Sequence, residues 1–244
     1  MAEYDKIAQN YSDVQAKRPG KIYMYNPSLF NLLGNLKNKT VLDLACGDGV
    51  FSREIKLKGA SEVLGVDISR EMIKIAQDKE KQNPLGIKYI VNDVLTLNYL
   101  GEFDLIVGGL LLHYSKTKQE LLLMCKNIYK NLKKTGRFIA LNNNPDSPLT
   151  TTIKYGSEVL SSKRELNEGD KLTVNLVLES KKVCSFHNYY WTKKTYEECL
   201  KVAGFKNIKW HQLSVSEEGI KKYGKEFWQD YYNHPYMILI EAEK

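Results

Sequence analysis

Three acids and two glycines stand out by type and spacing. Asp43 lies in the apolar run Thr40-Val-Leu-Asp-Leu, which leads into Ala45-Cys-Gly47-Asp-Gly49. Glycine lets the backbone turn sharply and approach a ligand closely. A helix beginning directly after such a turn offers free N–H groups and a partial positive charge. Asp67 closes the next run, Gly65-Val-Asp67-Ile-Ser, 18 residues after Gly49. A carboxylate there accepts two hydrogen bonds from ribose hydroxyls. Asp93 follows in Asn92-Asp93-Val94. It suits an adenine amine, with the next backbone N–H serving a ring nitrogen. A turn and two acids after three successive strands meet where an open α/β sheet binds ligands, beyond the strand C-termini. The chemistry this points to is nucleoside binding.

The elements that must position these residues read as follows. Asn26-Pro27 reads as an N-cap with Pro at the first helical position, opening a helix to about Leu36. Strands are expected at Thr40–Leu44, within 61–66, at 87–91, at 103–107 and at 137–141. Helices are expected over 50–58, from Ser69 onward, and over 117–134 with Gly136 just past its end. Strands alternating with helices indicate βαβ units and a parallel sheet. Residues 171–179 and 183–191 read as two strands around a Ser-Lys-Lys turn. Helix 193–203, strand 205–213, helix 216–233 and strand 235–243 complete the pattern. The expected fold is α/β: a Rossmann-like, seven-stranded, mostly parallel sheet with helices on both faces and an inserted β-hairpin lid. Residues 1–144 and 191–244 form the nucleoside-binding domain, and 145–190 form an inserted, substrate-covering segment.

As an ordered set, VLDLACGDG, GVDIS, the Asn-Asp pair, FDLIVGGLLLHY and LKKTGRFI resemble the motifs of class I S-adenosylmethionine-dependent methyltransferases. The match covers roughly residues 1–141 and the terminal helix–strand–helix–strand. YDKIAQNYSD and the segment from GFKNIKW onward are most similar to the toxoflavin-biosynthesis type of small-molecule methyltransferase. The resemblance implies S-adenosylmethionine as cofactor and S-adenosylhomocysteine as product. Asp43, Ala45 and Gly47 would serve the methionine end. Asp67 and Ile68 would take the ribose and one adenine face, with Met72 beside them, and Asp93 and Val94 the adenine edge. Gly109 and Leu110 would pass their backbone near the sulfonium. Tyr11 falls where this class places a lidding tyrosine, and a ring beside a cation gains about 0.5–2 kcal/mol. Core packing accounts equally for Met72, and an exposed helix face accounts equally for Tyr11. Ala45 stands where many members have glycine. The pattern GxGxxG is absent, and an acid at Asp43 suits an ammonium group while repelling a pyrophosphate.

Methyl transfer from a sulfonium needs mainly alignment, with the nucleophile about 3–3.5 Å from the methyl carbon. A base is needed only for an acceptor that arrives protonated. His113, just past the fourth strand, is the candidate, because imidazole titrates near neutrality; a structural histidine is the alternative. Asn142, His187, Tyr189 and Trp191 are candidates for the acceptor pocket. The resulting expectation is a small-molecule methyltransferase acting at nitrogen. An O-methyltransferase with His113 as base, an RNA or protein methyltransferase, and a non-catalytic cofactor binder are the alternatives.

Composition bounds these readings. The chain has 244 residues, 43% hydrophobic and 27% charged, which is ordinary for a globular domain. Its longest apolar run, 105–112, is too short for a bilayer, and its start has no secretory pattern. The net charge is +7, but only five of the 36 basic residues are arginine and the lysines are scattered. That argues against a nucleic-acid partner, for which arginine-rich stripes are expected. The four cysteines have neither CxxC nor zinc spacing, so free thiols, no metal and a cytoplasmic setting are expected.

Overall fold

The computed structural model describes residues 2–151 and 153–244. The first five strands are β1 (Thr40–Leu44), β2 (Glu62–Asp67), β3 (Lys88–Val91), β4 (Phe103–Gly109) and β5 (Leu132–Asn143). Helices α1 (Ala8–Gln15) and α2 (Asn26–Leu33) precede them, and α3 (Val50–Leu57), α4 (Arg70–Gln82) and α5 (Lys118–Lys130) connect them. Then come β6 (Ser157–Leu160), β7 (Lys171–Leu178) and β8 (Lys181–Tyr189). The chain continues through α6 (Lys193–Ala203), β9 (Lys206–Gln212), α7 (Glu217–Tyr223), α8 (Lys225–Asn233) and β10 (Met237–Glu243).

Seven strands form one sheet in the order β3-β2-β1-β4-β5-β10-β9. β10 is antiparallel to both neighbours, and the pairs from β3 to β5 are parallel. Alternation along each strand sends side chains to opposite faces. Val41, Leu105, Val107, Ile139 and Leu141 enter one core, under α2 and α3. Leu42, Leu44, Ile106, Phe138 and Ala140 enter the other, under α5 and α6. The strand order reverses between β1 and β4, so the ligand crevice of such a sheet lies at their C-terminal ends. β6, β7 and β8 make a separate antiparallel sheet whose apolar face packs with Val14 of α1.

Several local expectations are corrected. Asn26 does not cap a helix start. Its N–H donates to the Lys21 carbonyl, so a π-helical turn at Lys21–Tyr25 leads straight into α2. α5 ends at Lys130, not Lys134, because Asn131 leaves the helix and its Oδ1 accepts from the Leu100 amide at 2.7 Å. Gly136 then belongs to β5, where a Cβ would stand 3.0 Å from the Phe103 carbonyl. The hairpin turns at Glu179-Ser180, both at positive φ (49° and 61°), rather than at Ser-Lys-Lys. It also gains a third strand, β6. The expected helix 216–233 is two helices, broken at Gly224 (φ 79°, ψ 159°).

Candidate functional site

The turn after β1 is left-handed at Ala45, Gly47 and Gly49 (φ 58°, 54° and 75°). Left-handed backbone suits glycine and strains alanine. The turn is fastened to β2: the Gly47 amide donates to Asp67 Oδ2 and the Ser69 amide to Oδ1, each at 2.8 Å. A carboxylate has about four acceptor sites, so two remain for a ligand. Burial, partly countered by these amides, raises the Asp67 pKa. Ser69 caps α4, its Oγ accepting from the Met72 amide at 3.2 Å. The Met72 side chain is buried, as core packing requires, whereas Ile68 is 51% exposed at the end of β2. Asp93 folds back on itself, Oδ1 accepting from Leu95 N at 2.9 Å, and Val94 is buried beneath it.

Asp43 is buried in β1 and accepts from Ser52 Oγ at 2.5 Å. Burial lifts its pKa to about 7; nearby Asp67 raises it further, while Ser52 and Lys21 lower it. A cationic ligand would restore the full charge. Gly47 and Gly109 each border empty space where a Cβ would stand. Leu110 follows at φ 65°, its amide held by the Leu141 carbonyl at 2.9 Å. Open backbone at two strand ends, a buried acid with no cation bonded to it and a ribose-type carboxylate together fit S-adenosylmethionine.

An N-terminal segment lies across these strand ends. Ser12 of α1 hydrogen-bonds Asp48 in the turn, and Lys79 of α4 pairs with the same carboxylate at 2.6 Å. Burial pushes the Asp48 pKa up, but Lys79 and Ser12 outweigh it and hold it low. Asp5 accepts from Ser69 Oγ at 2.7 Å. Tyr4, Tyr11, Tyr114 and Phe186 form one aromatic group, with the Tyr4 and Tyr114 hydroxyls in contact. Burial pushes the Tyr11 phenol up to about 12, so it stays neutral. A cavity of about 560 Å³ borders the turn at Asp48 and α1 at Ser12 and Gln15; its lining includes neither Asp67 nor Gly109.

His113 is 2% exposed and stacks obliquely on Tyr114, centroids 4.9 Å apart. Its Nδ1 lies 2.8 Å from Asn142 Oδ1, so Nδ1–H donates and Nε2 keeps its lone pair. Burial drives its pKa down to about 4, with Asn142 pulling weakly the other way. The remaining pocket candidates part company. Trp191 is a core residue, buried among α5 and α6, its indole donating to Ser115 O at 3.0 Å. His187 faces outward and pairs with Glu3 at 2.8 Å. Tyr189 packs on the α5–α6 side. Phe186, one residue before His187 on β8, points to the inner face instead. Tyr4, Tyr114 and Phe186 were not anticipated, because no spacing rule brings positions so far apart together.

Three buried side-chain atoms lack any partner among the described residues: Arg18 Nε, Asn143 Nδ2 and Asn188 Oδ1. The four cysteines are free and buried. Among the described residues, no His/Cys/Asp/Glu group could hold a metal ion, and no helix is long and apolar enough to cross a membrane.

Comparison with known proteins gives the same picture. Residues 41–136 match a methyltransferase domain family. The N-demethylindolmycin N-methyltransferase of Streptomyces griseus is 27% identical over 177 residues, 69% of this chain and 70% of that protein. The ubiquinone biosynthesis O-methyltransferase of Coxiella burnetii is 30% identical over 159 residues, 63% of this chain and 66% of that one. An S-adenosylmethionine-dependent methyltransferase from Mesorhizobium loti shares the fold (TM-score 0.67, 19% identity, 94% of this chain and 100% of that one). So does the CcbJ methyltransferase of Streptomyces caelestis (TM-score 0.70, 16% identity, 98% and 96%). None of these four is named as a toxoflavin-type enzyme, and they add nothing to that narrower resemblance.

Proposed function

Because the chain belongs to the class I S-adenosylmethionine-dependent methyltransferases, we propose that it methylates a small-molecule acceptor at nitrogen. When bound, the cofactor supplies an electrophilic methyl group and leaves as a neutral thioether. Asp67 and Ile68 would hold the ribose and adenine face, and Asp93 with the Val94 amide the adenine edge. Asp43 and the turn at Ala45–Gly47 would hold the methionine end. Gly109 and Leu110 would give the reacting centre backbone rather than side chain. Residues 145–190 and Tyr11 would cover the acceptor and keep water out.

The observation that favours nitrogen is the state of His113. A pKa of about 4 makes it a weak base, suited to an amine that already carries its lone pair and unsuited to a hydroxyl that must lose a proton. Asn142 fixes the ring so that Nε2 is the atom able to accept a proton. The named relatives include both an N- and an O-methyltransferase. Methyl-labelled cofactor and a cell extract, read by mass spectrometry, should give a labelled N-methyl product. His113→Ala should then slow transfer by less than about tenfold, whereas a loss of ~10²–10⁴ would identify an acceptor that needs a base.

A further inference from the structure

The cavity beside the turn holds two opposite charges that do not meet. Lys21 opens the π-helical turn before α2, Glu54 lies on α3, and both line the same space of about 560 Å³. Both are partly buried. Among the described residues, neither the Lys21 ammonium nor the Glu54 carboxylate makes a hydrogen bond or an ion pair, with each other or with any other group. The remaining charges of the lining are engaged. Lys79 pairs with Asp48 at 2.6 Å, and the Lys58 ammonium lies over the Phe30 ring, 4.9 Å from its centroid. Burial lowers the Lys21 pKa although Asp48 and Glu54 pull it up, and burial raises the Glu54 pKa although Lys21 and Lys58 pull it down. The chain therefore under-compensates both charges. A desolvated cation and acid held apart are unfavourable unless polar groups come between them.

The rest of the lining says what could come between. Val50 and Glu54, four residues apart, share one face of α3, and α2 lines the same space with Asn26, Pro27 and Phe30. The Asn26 side chain makes no hydrogen bond among the described residues, while Pro27, Phe30 and Val50 are apolar. One free cation, one free acid and one free amide beside an apolar wall suit a molecule with a carboxylate, an amine and an apolar body. The volume lies within the ~300–1,000 Å³ of small-molecule sites. The space is separate from the cofactor's seat, since Asp43, Gly47, Asp67 and Gly109 do not line it. It touches that seat only through its wall, where Ser12 and Lys79 both bind Asp48 of the turn.

We propose that this cavity is a second ligand site and takes an α-amino acid with a large apolar side chain: Lys21 holds its carboxylate, Glu54 its ammonium, and Phe30 packs on its side chain. The inference goes beyond methyl transfer and does not rest on it. No covalent bond forms or breaks. Because Ser12, Asp48 and Lys79 tie α1 and α4 to the turn, a filled cavity braces the segment that carries Tyr11 across the strand ends.

Isothermal calorimetry of the full chain tests this with three probes: L-phenylalanine, 3-phenylpropanoate, which lacks the amine, and 2-phenylethylamine, which lacks the carboxylate. L-Phenylalanine should bind at least about tenfold more tightly than either, as each charged contact it adds is of that order. Lys21→Met should erase its advantage over phenylethylamine, and Glu54→Gln its advantage over phenylpropanoate. Neither side chain carries a hydrogen bond in the free chain, so both variants should fold with Tm within a few degrees of native. If one does not fold, the other decides, and Lys21→Arg should retain the preference. Absence of L-phenylalanine binding, equal binding of the three probes, or a preference that survives both substitutions overturns the proposal. These titrations need no cofactor, so they stand whether or not the chain binds one. Repeated at saturating S-adenosylhomocysteine, they should give the same affinity or a tighter one. Exclusion of L-phenylalanine by S-adenosylhomocysteine would show that the amino acid sits in the cofactor's own methionine seat, and the second site would be disproved.

Discussion

The amide of Gly47 lies 2.8 Å from Asp67 Oδ2, so the turn after β1 and the acid ending β2 form one unit. Asp67 therefore has two tasks, holding the turn and offering its remaining lone pairs to a ribose. Asp67→Ala should lower affinity for S-adenosylhomocysteine by at least ~100-fold, as loss of a charged acceptor of two hydrogen bonds costs about 1.5–3 kcal/mol each. Asp67→Asn keeps one acceptor oxygen and should lose less. Isothermal calorimetry decides, and unchanged affinity in the alanine variant would remove Asp67 from the site.

Gly109 borders empty space at an ordinary φ, so a larger residue there meets nothing in the protein itself. Gly109→Val should leave Tm within a few degrees of native while abolishing cofactor binding. Normal binding by this variant would show that the ligand lies elsewhere.

Asp43, with a pKa near 7, is half-charged at neutrality when no ligand is bound. An ammonium group favours the carboxylate, so binding should expel a proton near pH 7 and weaken as pH falls below it. Calorimetry of S-adenosylhomocysteine in buffers of different ionisation enthalpy reads the proton count directly. Asp43→Asn should erase both the proton release and the pH slope.

Asp43 and His113 should pull stability in opposite directions. Between about pH 4 and 6.5 the native chain keeps His113 neutral while the unfolded chain protonates it, so this group makes stability fall as pH falls. Asp43 holds its proton in the native state between pH 3.8 and about 7, so it makes stability rise as pH falls. Each slope is about 1.4 kcal/mol per pH unit, and over pH 4–6.5 they offset. Relative to native, denaturant unfolding of Asp43→Asn should lose stability toward pH 4, and His113→Gln should gain it. Parallel profiles for both variants would contradict the two assignments.

The turn, its acids and the parallel order of β1 to β5 were legible because each is local: a few residues of periodicity and a glycine suffice. The helix break at Gly224 was not legible because an isolated glycine inside a helical pattern is tolerated, at a cost of about 1 kcal/mol relative to alanine. The end of α5 was misplaced because Asn131 stops the helix through a bond to Leu100, a contact invisible along the chain. His187 and Phe186 show the limit at the site. A one-residue difference in β8 decides which faces inward, and alternation alone does not fix which parity does. Arg18 gave no motif at all. It is held by Gln15, Tyr25 and Ser157, contacts that span up to 139 positions and leave no local signature.

β10 is paired on both sides, with β5 and with β9. During synthesis β9 therefore has no partner until residues 237–243 emerge from the ribosome and slot between it and β5. A chain stopped short of that segment exposes the open flank of β5 and strands β9 as a loose ribbon, an invitation to chaperones and proteases. Assembly of this sheet is settled late, by the seven residues of β10 rather than by the half made first.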